Sequence, residues 1–236
     1  MDISVDNLTY QDVLNDVPVY LNKKEQMTIT SVNPQIVVNA GEYPEVVEFI
    51  EQSTHRIPDG IGIVLVSRLT KGAIKKRTAG FDLMVKLLDY ADQNNKKCFF
   101  YGAKPEVLTN TIQQIEKNYP NLIVSGAIDG YTSLEEQEVV RQINQTESDF
   151  LFVAMGFPRQ EQWLSRNKDQ LNTTILQDVG GSFDVLSGFV KRAPQIFIKL
   201  NLEWLYRSLS NPARIGRIFQ LPQFLIKSLW WKIKQR

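Results

Sequence analysis

The side chains available for chemistry in this chain are carboxylates, hydroxyls and guanidinium groups. His55 is its one histidine and Cys98 its one cysteine, which excludes a multi-histidine metal site, an imidazole relay and an internal disulfide. Cys98 sits in the apolar run KCFFYG and reads as a buried strand residue rather than a reactive thiol. Asp59, in RIPDGIGIVLV, stands immediately before a strand-like run, with Gly60 and Gly62 leaving the backbone around it uncluttered, so its carboxylate can approach a substrate closely. A turn aspartate in an Asx motif has the same local sequence. The GIG triplet is not a dinucleotide fingerprint, because the third glycine is missing and the segment precedes its strand.

Other candidates lie where a strand gives way to a helix. Ser31 and Asn33, in TITSVNPQIVVNA, are placed to cap a helix or to point at a ligand. Arg77, Gly80 and Asp82, in KKRTAGFDL, resemble a helix start preceded by a cation. Gln160 and Glu161 open a helix in PRQEQW, and Asp184 follows a double glycine in VGGSFDVLSG; each serves equally well as a local hydrogen-bond partner. Two turns, GAKP at Gly102 and GFPRQE at Gly156, pair a glycine with Pro105 or Pro158 suited to the first turn of a helix. Free N–H groups at such helix starts suit phosphate or ribose, although glycine and proline also simply punctuate α/β chains.

The elements that must position these residues alternate. Strand-like runs fall at 27–32, 61–66, 98–102, 122–126, 150–156 and 175–181, and FDLMVKLLDYADQNN, PEVLTNTIQQIEKNYP and SLEEQEVVRQINQ between them repeat apolar residues every third or fourth position. This order predicts an α/β fold with a mainly parallel, Rossmann-like sheet, helices on both faces, and ligands beyond the C-terminal strand ends. From Ala193 onward the pattern is helical, with breaks expected at Pro194, Pro212 and Pro222.

Charge divides the chain at the same place. Residues 191–236 hold ten Lys and Arg against Glu203 alone, a net +9, whereas the whole chain is +1, which leaves −8 for residues 1–190. We therefore expect a catalytic body over 1–190 and a basic amphipathic helical appendage over 191–236. Trp204, Tyr206, Phe219, Phe224, Trp230 and Trp231 interleave with the basic residues, which suits an anionic, partly apolar surface. Trp230, Trp231, Lys232 and Lys234 are the expected membrane contacts. The chain has neither an apolar run of the roughly 18–20 residues a span requires nor the basic, apolar start of a secretion signal. The expected location is therefore the cytoplasm, peripheral on the inner face of the plasma membrane. The Ile, Leu and Phe of FLIKSLWWKIK fit an interface helix better than a base-stacking platform, so no nucleic-acid partner is expected. Away from a membrane such a tail is also able to form a homo-oligomer.

The motifs TSVNPQ, PDGIG, KRTAGFDL, FFYGAKP, GFPRQEQW, VGGSFDVLSGFVKRAP, LEWLYR and NPARIGR occur in an order that resembles the WecG/TagA/CpsF family of bacterial glycosyltransferases, from about Met27 to Arg217. The resemblance implies transfer of a sugar from a UDP-sugar, with N-acetylmannosamine the first choice and another hexose or a uronic acid the alternative. The acceptor it implies is a sugar carried on undecaprenyl diphosphate. It implies Asp59 as general base, Ser31 as a second catalytic residue, and Asn33, Arg77, Gln160, Glu161 and Asp184 as pocket residues. Arg207, Arg214 and Arg217 are the arginines it places near the diphosphate. Teichoic-acid relatives carry threonine where Ser31 stands, and an acid is expected where Gln35 stands. No Asp-x-Asp motif occurs in the chain, so no metal and no cofactor beyond the donor are expected, and arginine must meet the charge of the departing UDP.

Overall fold

The computed structural model describes residues 3–209 and 218–234. Its strands are β1 (Met27–Val32), β2 (His55–Pro58), β3 (Lys97–Gly102), β4 (Ile123–Ile128), β5 (Phe150–Ala154) and β6 (Ile175–Asp178). They form one sheet in the order β2-β1-β6-β5-β3-β4, with every neighbouring pair parallel. Helices α1 (Tyr10–Lys23), α2 (Pro34–Asn39), α3 (Pro44–Gln52), α4 (Ile61–Leu69), α5 (Gly80–Gln93), α6 (Pro105–Asn118), α7 (Glu136–Gln145), α8 (Arg159–Asn167) and α9 (Ser182–Leu186) surround it. Helices α10 (Gln195–Lys199), α11 (Glu203–Leu209) and α12 (Gln220–Lys234) follow.

Strands buried on both faces read as continuous apolar runs, and their side chains still alternate. Cys98, Phe100, Phe150, Phe152 and Ile175 enter one core with α1, α5 and α6, while Phe99, Tyr101, Leu151, Val153 and Leu176 enter the other with Phe49, Val140 and Trp163 of α3, α7 and α8. Phe100 and Phe152 stack with ring centres 5.6 Å apart, and each fully buried ring stabilises the fold by about 1.5–3 kcal/mol. A third cluster joins Val32, Ile36, Val37 and Ile63 to Phe224 of α12, with Leu221 and Leu225 packed alongside. Gly62 permits that contact: a Cβ there would lie 2.6 Å from the Leu221 side chain.

Several expectations are corrected. IGIVLV is not a strand; residues 61–66 lie in α4, and the strand of this region is the four-residue β2 just upstream. A short apolar run between glycines has the composition of a buried strand and of a buried helix alike. Pro105 does open α6, but Pro158 precedes the first turn of α8, after a cis Phe157–Pro158 bond. Pro222 interrupts nothing: it lies in the first turn of α12, where its missing N–H has no partner to lose. Pro212 lies outside the described residues. Residues 10–23, for which the sequence carries no clear pattern, form α1 behind a capping box between Thr9 and Asp12.

Candidate active site

A cavity of about 600 Å³ opens above the C-terminal ends of the strands, the position an open parallel sheet offers to ligands. Ser31, Asn33, Asp59, Arg77, Gly156, Gln160, Glu161 and Asp184 all line it, so residues scattered over more than 150 positions converge.

Asp59 does not precede a strand as expected; it links β2 to α4. Its N–H donates to the Val32 carbonyl at 2.9 Å, extending the sheet by one bond, and Gly60 then takes φ +96° to turn the chain into α4. That turn leaves the carboxylate projecting over the sheet. Arg77 Nε donates to Asp59 Oδ1 at 3.1 Å, the Gly80 N–H donates to Oδ2 at 3.3 Å, and Arg77 Nη2 reaches Glu203 Oε2 on α11 at 3.3 Å. Burial works against the Arg77 charge, but the carboxylates of Asp59 and Glu203 outweigh it and hold its pKa above the ordinary value. The loop carrying Arg77 and Gly80 is held from below by the N-terminal segment. Thr78 Oγ1 donates to the Leu8 carbonyl at 2.6 Å, and the Ala79 N–H donates at 2.9 Å to the Tyr10 hydroxyl, whose pKa burial pushes up to about 12. Tyr10 carries no local mark in the sequence and gains this role only through the packing of α1.

The floor of the cavity holds a second acidic pair. Asp178, the last residue of β6, accepts from Thr30 Oγ1 at 2.6 Å and from the Ser31 N–H at 3.1 Å, which fixes Ser31 beside Asp59. Glu161 accepts from Gln160 Nε2 at 3.0 Å, while its Oε2 is buried with no hydrogen-bond partner among the described residues. Burial pushes both carboxyls well up from their ordinary range, the charge of Asp178 adds to the effect on Glu161, and no arginine or lysine is among the causes acting on either. Asp178 was hidden in the sequence inside the run ILQDVGG, where it reads as the end of a strand.

The rims are built from glycine turns. Gln160 Oε1 accepts from the Gly156 N–H at 3.1 Å and the Gly180 N–H at 3.0 Å, tying the turns after β5 and β6 together. Asn33 caps α2 by accepting from the Ile36 N–H at 3.0 Å and lines the cavity as well, so the two readings of this residue coexist. Gly102 does not face the cavity: its φ is +125°, and a Cβ would lie 2.4 Å from the Ala154 carbonyl, which makes its glycine a requirement of packing. Its neighbours Ala103 and Lys104 line the cavity instead, across from Arg159, which donates to the Gly130 carbonyl at 2.8 Å.

Helix α11 borders the cavity with Glu203, Trp204 and Ser208. Arg207 belongs to α11, but its side chain, with Arg214 and Arg217, lies outside the described residues. On α12, Lys232 donates to the Thr70 carbonyl and the Lys234 ammonium lies 3.7 Å from the centre of the Trp230 ring. Phe219, Ile226, Trp230 and Ile233 are 73, 69, 58 and 71% exposed, while Trp231 is half-buried. No helix among the described residues is long and apolar enough to cross a membrane, and among them no three His, Cys, Asp or Glu side chains converge as metal ligands would.

A parallel α/β sheet with a cavity over its strand ends, holding a paired carboxylate and arginine, places the chain among the open-sheet proteins that bind ligands there. Residues 1–236 match the family described as the glycosyl transferase WecG/TagA/CpsF family. An N-acetylglucosaminyldiphosphoundecaprenol N-acetyl-beta-D-mannosaminyltransferase of Bacillus spizizenii is 39% identical over 206 residues, 87% of this chain and 80% of the relative. Proteins of the same name from Bacillus subtilis and Staphylococcus aureus are 38% and 35% identical, over 89% and 96% of this chain and 82% and 90% of their own lengths. The chain belongs to the WecG/TagA/CpsF family and is a glycosyltransferase.

Proposed function

We propose that the protein transfers N-acetylmannosamine to the sugar of an undecaprenyl-diphosphate-linked N-acetylglucosamine, the sugar and acceptor that its relatives' names give for them, with UDP as the leaving group, in the assembly of a bacterial cell-wall polymer. The carrying observation is Asp59, a carboxylate over the strand ends with, among the described residues, Arg77 on one oxygen and only a long backbone hydrogen bond on the other. Asp59 takes the proton of the acceptor hydroxyl as the oxygen forms its bond to the anomeric carbon. The bond from that carbon to the diphosphate breaks on the opposite face, and its electron pair leaves with UDP, so the configuration inverts.

The charge on the departing diphosphate falls to guanidinium groups rather than a bound cation. The absence of an Asp-x-Asp motif, the net +9 of residues 191–236, and the place of α11, which carries Arg207, on the cavity wall support this role for Arg207, Arg214 and Arg217. The bare face of α12 supports a peripheral seat on the inner leaflet. Its inner face, with Leu221 and Phe224, is used against α2 and α4, while Phe219, Ile226, Trp230 and Ile233 lie at spacings of seven, four and three residues with Lys227 and Lys234 nearby. The lipid-linked acceptor occupies that same surface.

The test is release of UDP from a panel of UDP-sugars offered with a short-chain lipid-diphosphate N-acetylglucosamine, with and without EDTA. The reading expects UDP-N-acetylmannosamine to be used best and the rate to survive EDTA. A preference for another sugar would move the donor assignment, and a requirement for added magnesium or manganese would overturn the arginine assignment.

A further inference from the structure

Three arginines among the described residues spend Nε and Nη2 on one carboxylate. Arg56 donates to Asp6 through them at 3.0 and 2.9 Å, Arg141 to Glu138 at 2.7 and 2.6 Å, and Arg166 to Glu136 at 3.2 and 2.7 Å. This is the side-on fork in which a guanidinium matches both oxygens of a carboxylate. Arg77 departs from the pattern. Its Nε goes to Asp59 and its Nη2, 3.3 Å from Glu203, goes to a different acid on a different element. Glu203 is buried and is the first residue of α11, and in sequence it is the one acid among residues 191–236.

A fork split in this way leaves Asp59 Oδ2, among the described residues, with only the Gly80 N–H at 3.3 Å. Without an acceptor for Nη2, the same guanidinium has its ordinary alternative at hand, which is to close on both oxygens of Asp59. A carboxylate held by two charge-assisted bonds is a poorer proton acceptor, and its free oxygen is taken. We propose that Glu203 is a positioning residue that holds Arg77 open and so keeps Asp59 available to the acceptor hydroxyl, an inference that rests on Asp59 being the base. Because Glu203 belongs to the C-terminal helices, their docking readies the base in addition to bringing the arginines they carry.

The experiment uses the full chain and measures kcat and donor KM for Glu203→Ala, Glu203→Gln, Asp59→Asn and Arg77→Lys, with Glu203→Ala also made in the Arg77→Lys background. Glu203→Ala is expected to lower kcat about tenfold with donor KM changed less than about twofold. Glu203→Gln, whose amide oxygen still accepts from Nη2, is expected to keep most of the rate. Lysine cannot fork, so removing Glu203 behind Arg77→Lys should cost much less than in the native chain. An inactive Asp59→Asn beside an unimpaired Glu203→Ala would overturn the proposal and leave the base standing. Full turnover by both would overturn base and latch together. A loss that persists undiminished behind Arg77→Lys would show that Glu203 acts through something other than Arg77, and would likewise overturn the proposal.

Discussion

The cavity holds two acidic sites, and they are built on opposite terms. Asp59, on the rim formed by β2 and α4, has a guanidinium on one oxygen and is part-exposed. Asp178 and Glu161, on the floor below β5 and β6, are buried and draw their bonds from hydroxyl, amide and backbone groups rather than from a cation. The consequence is a division of labour. A carboxyl that burial drives to hold its proton serves as a fixed hydrogen-bonding post, here for Thr30 and Ser31, whereas a carboxylate that must accept a proton needs an oxygen left open toward the substrate.

Crowding the open side of the rim should break this division most visibly. A methyl group at Gly80 would lie 2.4 Å from Ser31 Oγ and 3.7 Å from Asp59 Oδ2. Gly80→Ala should therefore turn Ser31 away and lower kcat about tenfold while the melting temperature changes little; an unaltered rate would mean that the space beside Asp59 is not used.

The floor should respond to pH in stability instead. Because burial raises the pKa of Glu161 in the folded chain, its contribution is fully present below the ordinary carboxylate range and is lost as pH rises through the raised value. Glu161→Gln does not titrate and keeps the bond to Gln160. The melting temperature of this variant relative to the native chain should thus climb steadily between about pH 5 and 9. A difference independent of pH would show that burial does not raise the Glu161 carboxyl in the folded chain.

Much of the rim, and Glu161 on the floor, was legible in the sequence; Asp178 was not. Ser31, Asn33, Asp59, Arg77, Gln160 and Asp184 each stand at a strand end or helix start, where glycine, proline and capping residues mark the chain locally, and they converge because a parallel sheet collects its strand ends on one side. Asp178 carries no such mark: it is the last residue of a short strand, and its value comes from Thr30 and Ser31, nearly 150 residues earlier. Glu203 reads as a stray acid in a basic segment until the fold brings it to Arg77. The helix at IGIVLV was misread because its β-branched residues and glycine borders fit a strand, and four-residue β2 is too short to show alternation. Helix α1, with Pro18 inside it, offered a blurred pattern, yet its Tyr10 and the preceding Leu8 hold up the Arg77–Gly80 loop.

The role of Asp59 carries the whole account, and single-turnover transfer by Asp59→Asn with donor bound at saturation tests it most directly. The substitution keeps the shape and removes the proton acceptor, so the transfer rate should fall by about 10²-fold or more while donor affinity holds. Transfer at the native rate would contradict the account.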